Sequence, residues 1–113
     1  MNCEKQIKQT LFLLGISRPS KGYFAIIPAV RLAMERPAGL SCISKDIYVD
    51  VAILQKTSPL CVERNIRTLT KQIWTRGNHE YLNKVFKMQV IKKPTNKELI
   101  AALAEYVSER AKE

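Results

Sequence analysis

The chain predicts an all-α fold, a compact six-helix domain containing a helix-turn-helix. Three observations carry this. Apolar residues recur at three- and four-residue spacing in most segments long enough to form an element, and proline or glycine punctuates the gaps between them. In the middle of the chain, a connection of only Lys56, Thr57 and Ser58 joins two such segments, the spacing a helix-turn-helix requires.

Taken in order, Ile7, Leu11 and Leu14 give the first helix its apolar face over Glu4 to Leu14, and Gly15 stops it. Pro19, Ser20 and Gly22 make a break. Proline costs about 3 kcal/mol inside a helix and little at its first position, so the second helix is expected to start near Pro28 and to end at Pro37 and Gly39. A third helix is expected from about Ser44 to Gln55, with Ile47, Val51 and Leu54 on one face.

Ser58 before Pro59 pairs a favoured N-cap residue with a favoured first helical residue and opens the fourth helix, Pro59 to about Arg76. Val62, Ile66, Leu69 and Ile73 fall in one narrow stripe, which is core. Glu63, Arg64, Arg67, Thr68 and Lys71 lie opposite it and crowd the N-terminal half, the half that a recognition helix pushes into a major groove. Gly77 is expected to cap this helix in a left-handed conformation. A short helix then runs through Leu82 and Phe86. Thr95 and Glu98 form a capping box before a last helix that buries Leu99, Leu103, Tyr106 and Val107.

Composition narrows the function. A chain of 113 residues with 46% hydrophobic and 26% charged residues is sized for one globular domain spanning 1–113. Its formal charge is +9 and its isoelectric point about 9.7. The excess concentrates in Lys56, Arg64, Arg67, Lys71, Arg76, Lys84, Lys87, Lys92 and Lys93, opposed over the same stretch only by Glu63 and Glu80. A localised basic surface is the electrostatic footprint of nucleic-acid binding. Cys3, Cys42 and Cys61 form no CxxC pair, and His79 is the sole histidine, so neither a metal site nor a disulfide framework is expected. No catalytic constellation or phosphate loop is present, and the expectation is a non-enzyme without cofactor or metal. No apolar run approaches the roughly 20 residues of a membrane span and no signal peptide is visible, which predicts a cytoplasmic protein without a membrane partner. Trp74, Tyr23 and Phe86 sit among apolar residues and read as core aromatics rather than base-stacking platforms.

Lys21-Gly22-Tyr23, Val62-Glu63-Arg64 with Ile66-Arg67, Arg76-Gly77-Asn78, and Lys93-Pro94-Thr95-Asn96 followed by Glu98, Ile100 and Ala101 together resemble the C-terminal effector domain of the sporulation stage-zero response regulator family. The resemblance runs essentially the whole length. It implies a helix-turn-helix built from the third and fourth helices, reading double-stranded DNA at a short box with the core TGTCGAA, often as tandem sites that admit a dimer. It also implies that Glu63, Arg64 and Arg67 contact bases and backbone. Arginine reads guanine bidentately and a carboxylate accepts from cytosine, which suits a CG-containing core. Ser58, Lys56, Thr68 and Lys71 complete the candidate DNA-binding set, with Lys56 and Lys71 read either as phosphate contacts or as solvated charge.

Departures from the family pattern are as informative. The family has a basic residue where Cys61 stands, a His at Thr68, a Pro at Val49, and Lys-Lys-Phe in place of Ile53, Leu54 and Gln55. Leu54 is expected to replace the missing Phe in the core. Val49 and Ile53 align on another side and suggest an apolar partner surface, which sets up the alternative of an interaction module modulating a related regulator or RNA polymerase. Exposure of Ile53 discriminates the two readings. The family's phosphorylatable receiver domain has no counterpart in this chain.

Overall fold

The computed structural model describes residues 3–111. Six α-helices and one 3-10 helix enclose one hydrophobic cluster: α1 (Cys3–Leu13), α2 (Lys21–Glu35), the 3-10 helix (Pro37–Cys42), α3 (Ile47–Gln55), α4 (Pro59–Arg76), α5 (His79–Phe86) and α6 (Asn96–Ala111). The all-helical class and the helix-turn-helix order are as the sequence predicts.

The second helix differs from expectation. It begins seven residues before Pro28, where the Ser20 side chain caps it by accepting from Tyr23 N at 3.2 Å, and Pro28 is interior. Ala25, Ile26, Ile27, Ala29, Val30 and Ala33 are all buried, and each large aliphatic side chain removed from water contributes about 1.5–3 kcal/mol, which outweighs one proline. Burial on this scale makes α2 the central helix. It packs against α1, α3, α4, α6 and the 3-10 helix.

Gly22, read from sequence as part of the break, lies in the first turn of α2 because α4 crosses there: a Cβ on Gly22 would sit 2.3 Å from Asn65 O and 2.9 Å from Leu69 Cβ. Gly77 also serves proximity rather than handedness. Its φ of −85° and ψ of −177° are extended, not left-handed, and a Cβ there would meet Ile73 O at 2.3 Å and Leu14 O at 2.5 Å. The expected left-handed cap at Gly77 is therefore wrong. Asn78 N donates to Leu14 O at 3.0 Å, tying the end of α4 to the end of α1. Of the glycines, Gly15 is the left-handed one, at φ +107°.

Other boundaries shift less. The peptide N–H groups of Lys45 and Asp46 bond back to Cys42 O at 3.0 Å, which prolongs the turn and delays α3 from Ser44 to Ile47. Arg36 spans this turn with ion pairs to Asp46 at 2.8 Å and Asp50 at 2.7 Å. Leu54, expected in the core, is 60% exposed. It shares an angular position with Ile47 and Val51, but it lies in the last turn of α3, on an open depression that it lines with Glu4 and Lys8 of α1 and Phe24, Ile27 and Pro28 of α2. The capping box forms as predicted, with Thr95 N donating to Glu98 Oε1 at 2.8 Å and Glu98 N to Thr95 Oγ1 at 3.1 Å. Leu99, Leu103, Tyr106 and Val107 are buried beneath it. Trp74, Tyr23 and Phe86 are half-buried against the core; the exposed His79 ring stacks on Trp74 at 4.5 Å.

Gly22→Ala separates propensity from packing by sign. Alanine is the better helix former by about 1 kcal/mol, so an open site would gain stability. With Asn65 O and Leu69 in the way, the substitution should instead destabilise the fold by about 1–3 kcal/mol, read as a lower urea midpoint.

Candidate nucleic-acid interface

The turn between α3 and α4 is closed by Lys56, which takes a left-handed conformation at φ 54° while its N–H reaches Ala52 O and Ile53 O. Thr57 N donates to Ala52 O at 2.9 Å. The Ser58 side chain then accepts from Cys61 N at 3.1 Å and starts α4, a cap of the kind that contributes about 0.5–2 kcal/mol. These three residues fix the angle at which α4 leaves α3.

From this start, Val62, Ile66, Leu69 and Ile73 enter the core fully buried and the rest of the helix is oriented by elimination. Arg64, Arg67, Thr68 and Lys71 are exposed and Glu63 is half-buried. At 100° per residue, Leu60, Arg64, Arg67 and Lys71 follow one another at spacings of four, three and four, so they line a single ridge. Its N-terminal half faces away from the body of the protein.

Basic clefts flank the ridge on both sides. One, of about 530 Å³, carries Lys21, Lys56 and Arg64 with Cys61 and Asn65 on its α4 wall. The other, of about 340 Å³, carries Arg67, Lys93 and Lys97 beside Glu63 and Thr70. Lys21 starts α2, and Lys97 lies in the first turn of α6, so helices remote in sequence deliver charge to both flanks of α4. Sequence reasoning missed Lys21 and Lys97 as members of the surface. Only the packing of α2 and α6 against α4 brings them there, although the local basic excess pointed to the region.

Local interactions tune the candidate residues. Arg67 Nη2 bonds Glu63 Oε1 at 2.8 Å, an exposed ion pair with the acidic partner N-terminal, of a type that contributes a few tenths of a kcal/mol and mainly orients the guanidinium. Thr68 Oγ1 donates to Arg64 O at 3.2 Å. Hydrogen bonds to the Ser58 and Thr57 side chains, with the Arg64 charge adding, hold the Cys61 thiol below its ordinary pKa.

Beneath the ridge, Asn96 braces α4 against α6. Its Nδ2 donates to Glu63 O at 3.1 Å, and Thr70 Oγ1 lies 3.0 Å from its Oδ1 and 2.9 Å from Ile66 O, placing one hydroxyl proton between two acceptors. Burial pushes the Tyr48 phenol of α3, beside the cleft of Arg67 and Lys93, up to about 12. Elsewhere on the surface, Ile53 is 70% exposed next to Leu54, whereas Val49 is half-buried, so the expected apolar pair presents Ile53 with Leu54 rather than with Val49. No helix among the described residues is long and apolar enough to cross a membrane.

Residues 7–107 match the family described as sporulation initiation factor Spo0A C terminal. The match begins within α1 and ends within α6, with the ridge, both clefts and Asn96 inside it.

Removing the brace tests its structural part. Asn96→Ala leaves Glu63 O and Thr70 without that partner and should cost about 1–3 kcal/mol, measured as a shift in the denaturation midpoint; an unchanged midpoint would show that water substitutes for the amide.

Proposed function

The chain belongs to the Spo0A C-terminal family, the DNA-binding domain of a sporulation transcription factor, and from that premise we propose that it is a sequence-specific transcriptional regulator that inserts α4 into the major groove of a TGTCGAA-like box. The observation that carries this reading is the exposed Arg64–Arg67–Lys71 ridge, opposite a fully buried stripe and between two basic clefts. A major groove about 12 Å wide admits one helix and leaves a phosphate backbone along each of its sides. In this reading the two clefts take those backbones.

In this arrangement Arg64 and Arg67 read guanine edges, and Glu63 accepts from a cytosine amino group with the carboxylate that now orients Arg67. Lys71 and Thr68 follow along the ridge. Ser58, whose oxygen is engaged as the cap, still has its hydroxyl proton to donate to a phosphate, and Lys56 offers its ammonium beside it. Lys21, Lys93 and Lys97 add backbone contacts that set affinity and register without reading sequence. The role is non-catalytic, and binding at tandem boxes would bring two copies side by side.

Titration against box and random duplexes over a range of salt tests the reading. Arg64→Ala should lower affinity for the box by about 1–3 kcal/mol and lower affinity for random DNA much less, whereas equal losses would reduce Arg64 to a phosphate contact. Cys61→Arg places a basic residue on the wall of the first cleft, as the family resemblance implies for this position; it should steepen the salt dependence by about one unit if it gains one phosphate. No change in that slope, with binding that ignores sequence, would remove α4 from the groove.

Ile53, whose exposure discriminates the two readings, is 70% exposed, as the interaction-module reading requires. The basic ridge on α4 supports the DNA reading independently, so the second reading stands beside the first, with the α3 end docking a protein partner such as a related regulator or RNA polymerase. Ile53→Lys should then leave the fold and box affinity nearly intact while abolishing transcriptional output from a box-bearing promoter. Full output from the variant would dismiss this surface.

A further inference from the structure

The first member of the α4 ridge is not charged. Leu60 is the second residue of the helix and 60% exposed, and it leads the series that continues through Arg64, Arg67 and Lys71. The other large side chains of the helix's apolar set, Val62, Ile66, Leu69 and Ile73, are at most 1% exposed, so Leu60 is not a displaced member of the core stripe. It stands on the solvent side of the helix, about 200° away from Val62 at the standard angular step.

Its position determines what can cover it. A recognition helix enters the major groove by its N-terminal turns, which places the second residue among base edges. Among those edges the one apolar group that stands out into the groove is the C5-methyl group of thymine. A leucine set against a cytosine amino group or a purine acceptor would desolvate a hydrogen-bonding group without replacing its partner, whereas against a methyl group both surfaces leave water favourably.

Resting on the DNA-reading function above, we propose that Leu60 is a specificity residue that reads a thymine methyl group in the major groove, at a base pair next to those contacted by Arg64 and Arg67. The arginines select guanines through paired hydrogen bonds, and Leu60 adds a thymine through apolar contact. Site recognition then combines two independent chemistries on one ridge. Discrimination at this thymine is insensitive to salt, because no counterion is released by an apolar contact, while the contribution of the flanking lysines falls as salt rises.

Deoxyuridine differs from thymidine only by that methyl group, which makes the test atomic. The wild-type protein first selects duplexes from a randomised pool, and each thymine of the enriched site is then replaced in turn by deoxyuridine. One replacement should weaken wild-type binding about fourfold, the worth of one buried methyl group, at low and high salt alike. For Leu60→Ala, which keeps a good helix former at an exposed position, that same replacement should cost nothing, and the pool should lose its preference for thymine there. Equal losses for the two proteins at every thymine overturn the proposal while leaving the DNA-reading function standing. Failure of the wild type to enrich any sequence overturns both.

Discussion

The close approach of α2 and α4 at Gly22 is the constraint from which the rest of the arrangement follows. With no side chain between the backbones, Gly22 meets Asn65 and Leu69 directly, and α4 is held against the central helix at the point where its polar ridge begins. Because α2 is buried along most of its length, it has no freedom to yield, and its proline is carried as a tolerated interior residue. The same crossing sets the N-terminus of α2 beside α4, which is how Lys21 reaches the cleft shared with Lys56 and Arg64.

A recognition helix needs its orientation fixed on more than one side, since a rotation of one residue step, about 100°, would carry Arg64 off the outward side of the helix. Packing on α2 supplies one restraint, the Lys56–Ser58 turn a second, and Asn96 a third. Each acts on backbone or cap atoms, so the outward side chains stay free to engage a ligand. The exception is Arg67, whose pairing with Glu63 is exposed and weak enough to be exchanged for a base while still limiting the conformations the guanidinium explores beforehand.

Charge and apolar surface divide the work around this helix. Lysines from α2, the segment before α6 and α6 itself lie in clefts on either side of the ridge, where long flexible side chains suit a repetitive phosphate backbone. The ridge between carries planar guanidinium groups and one leucine, which suit base edges. Ile53 and Leu54 lie exposed at the end of α3, away from the ridge that carries Arg64 and Arg67, so apolar and basic surface are separated on the molecule.

The sequence by itself determined the helical class, the helix-turn-helix connection, the Ser58 cap, the capping box at Thr95 and Glu98, and the polar and buried faces of α4, because each of these depends on residues within a few positions of one another. Tertiary structure decided what depends on distant neighbours. Pro28 is interior because the burial of α2 outweighs a local cost, and Gly77 is glycine because Leu14 and Ile73 crowd it, not because its backbone is left-handed. Leu54 keeps its angular position but leaves the core because, at the last turn of α3, the helices α1 and α2 leave an open depression beside it instead of closing over it. Lys21 and Lys97 join the candidate interface for the same reason: the crossing of helices far apart in the chain, which no local pattern encodes, sets which side chains share a surface.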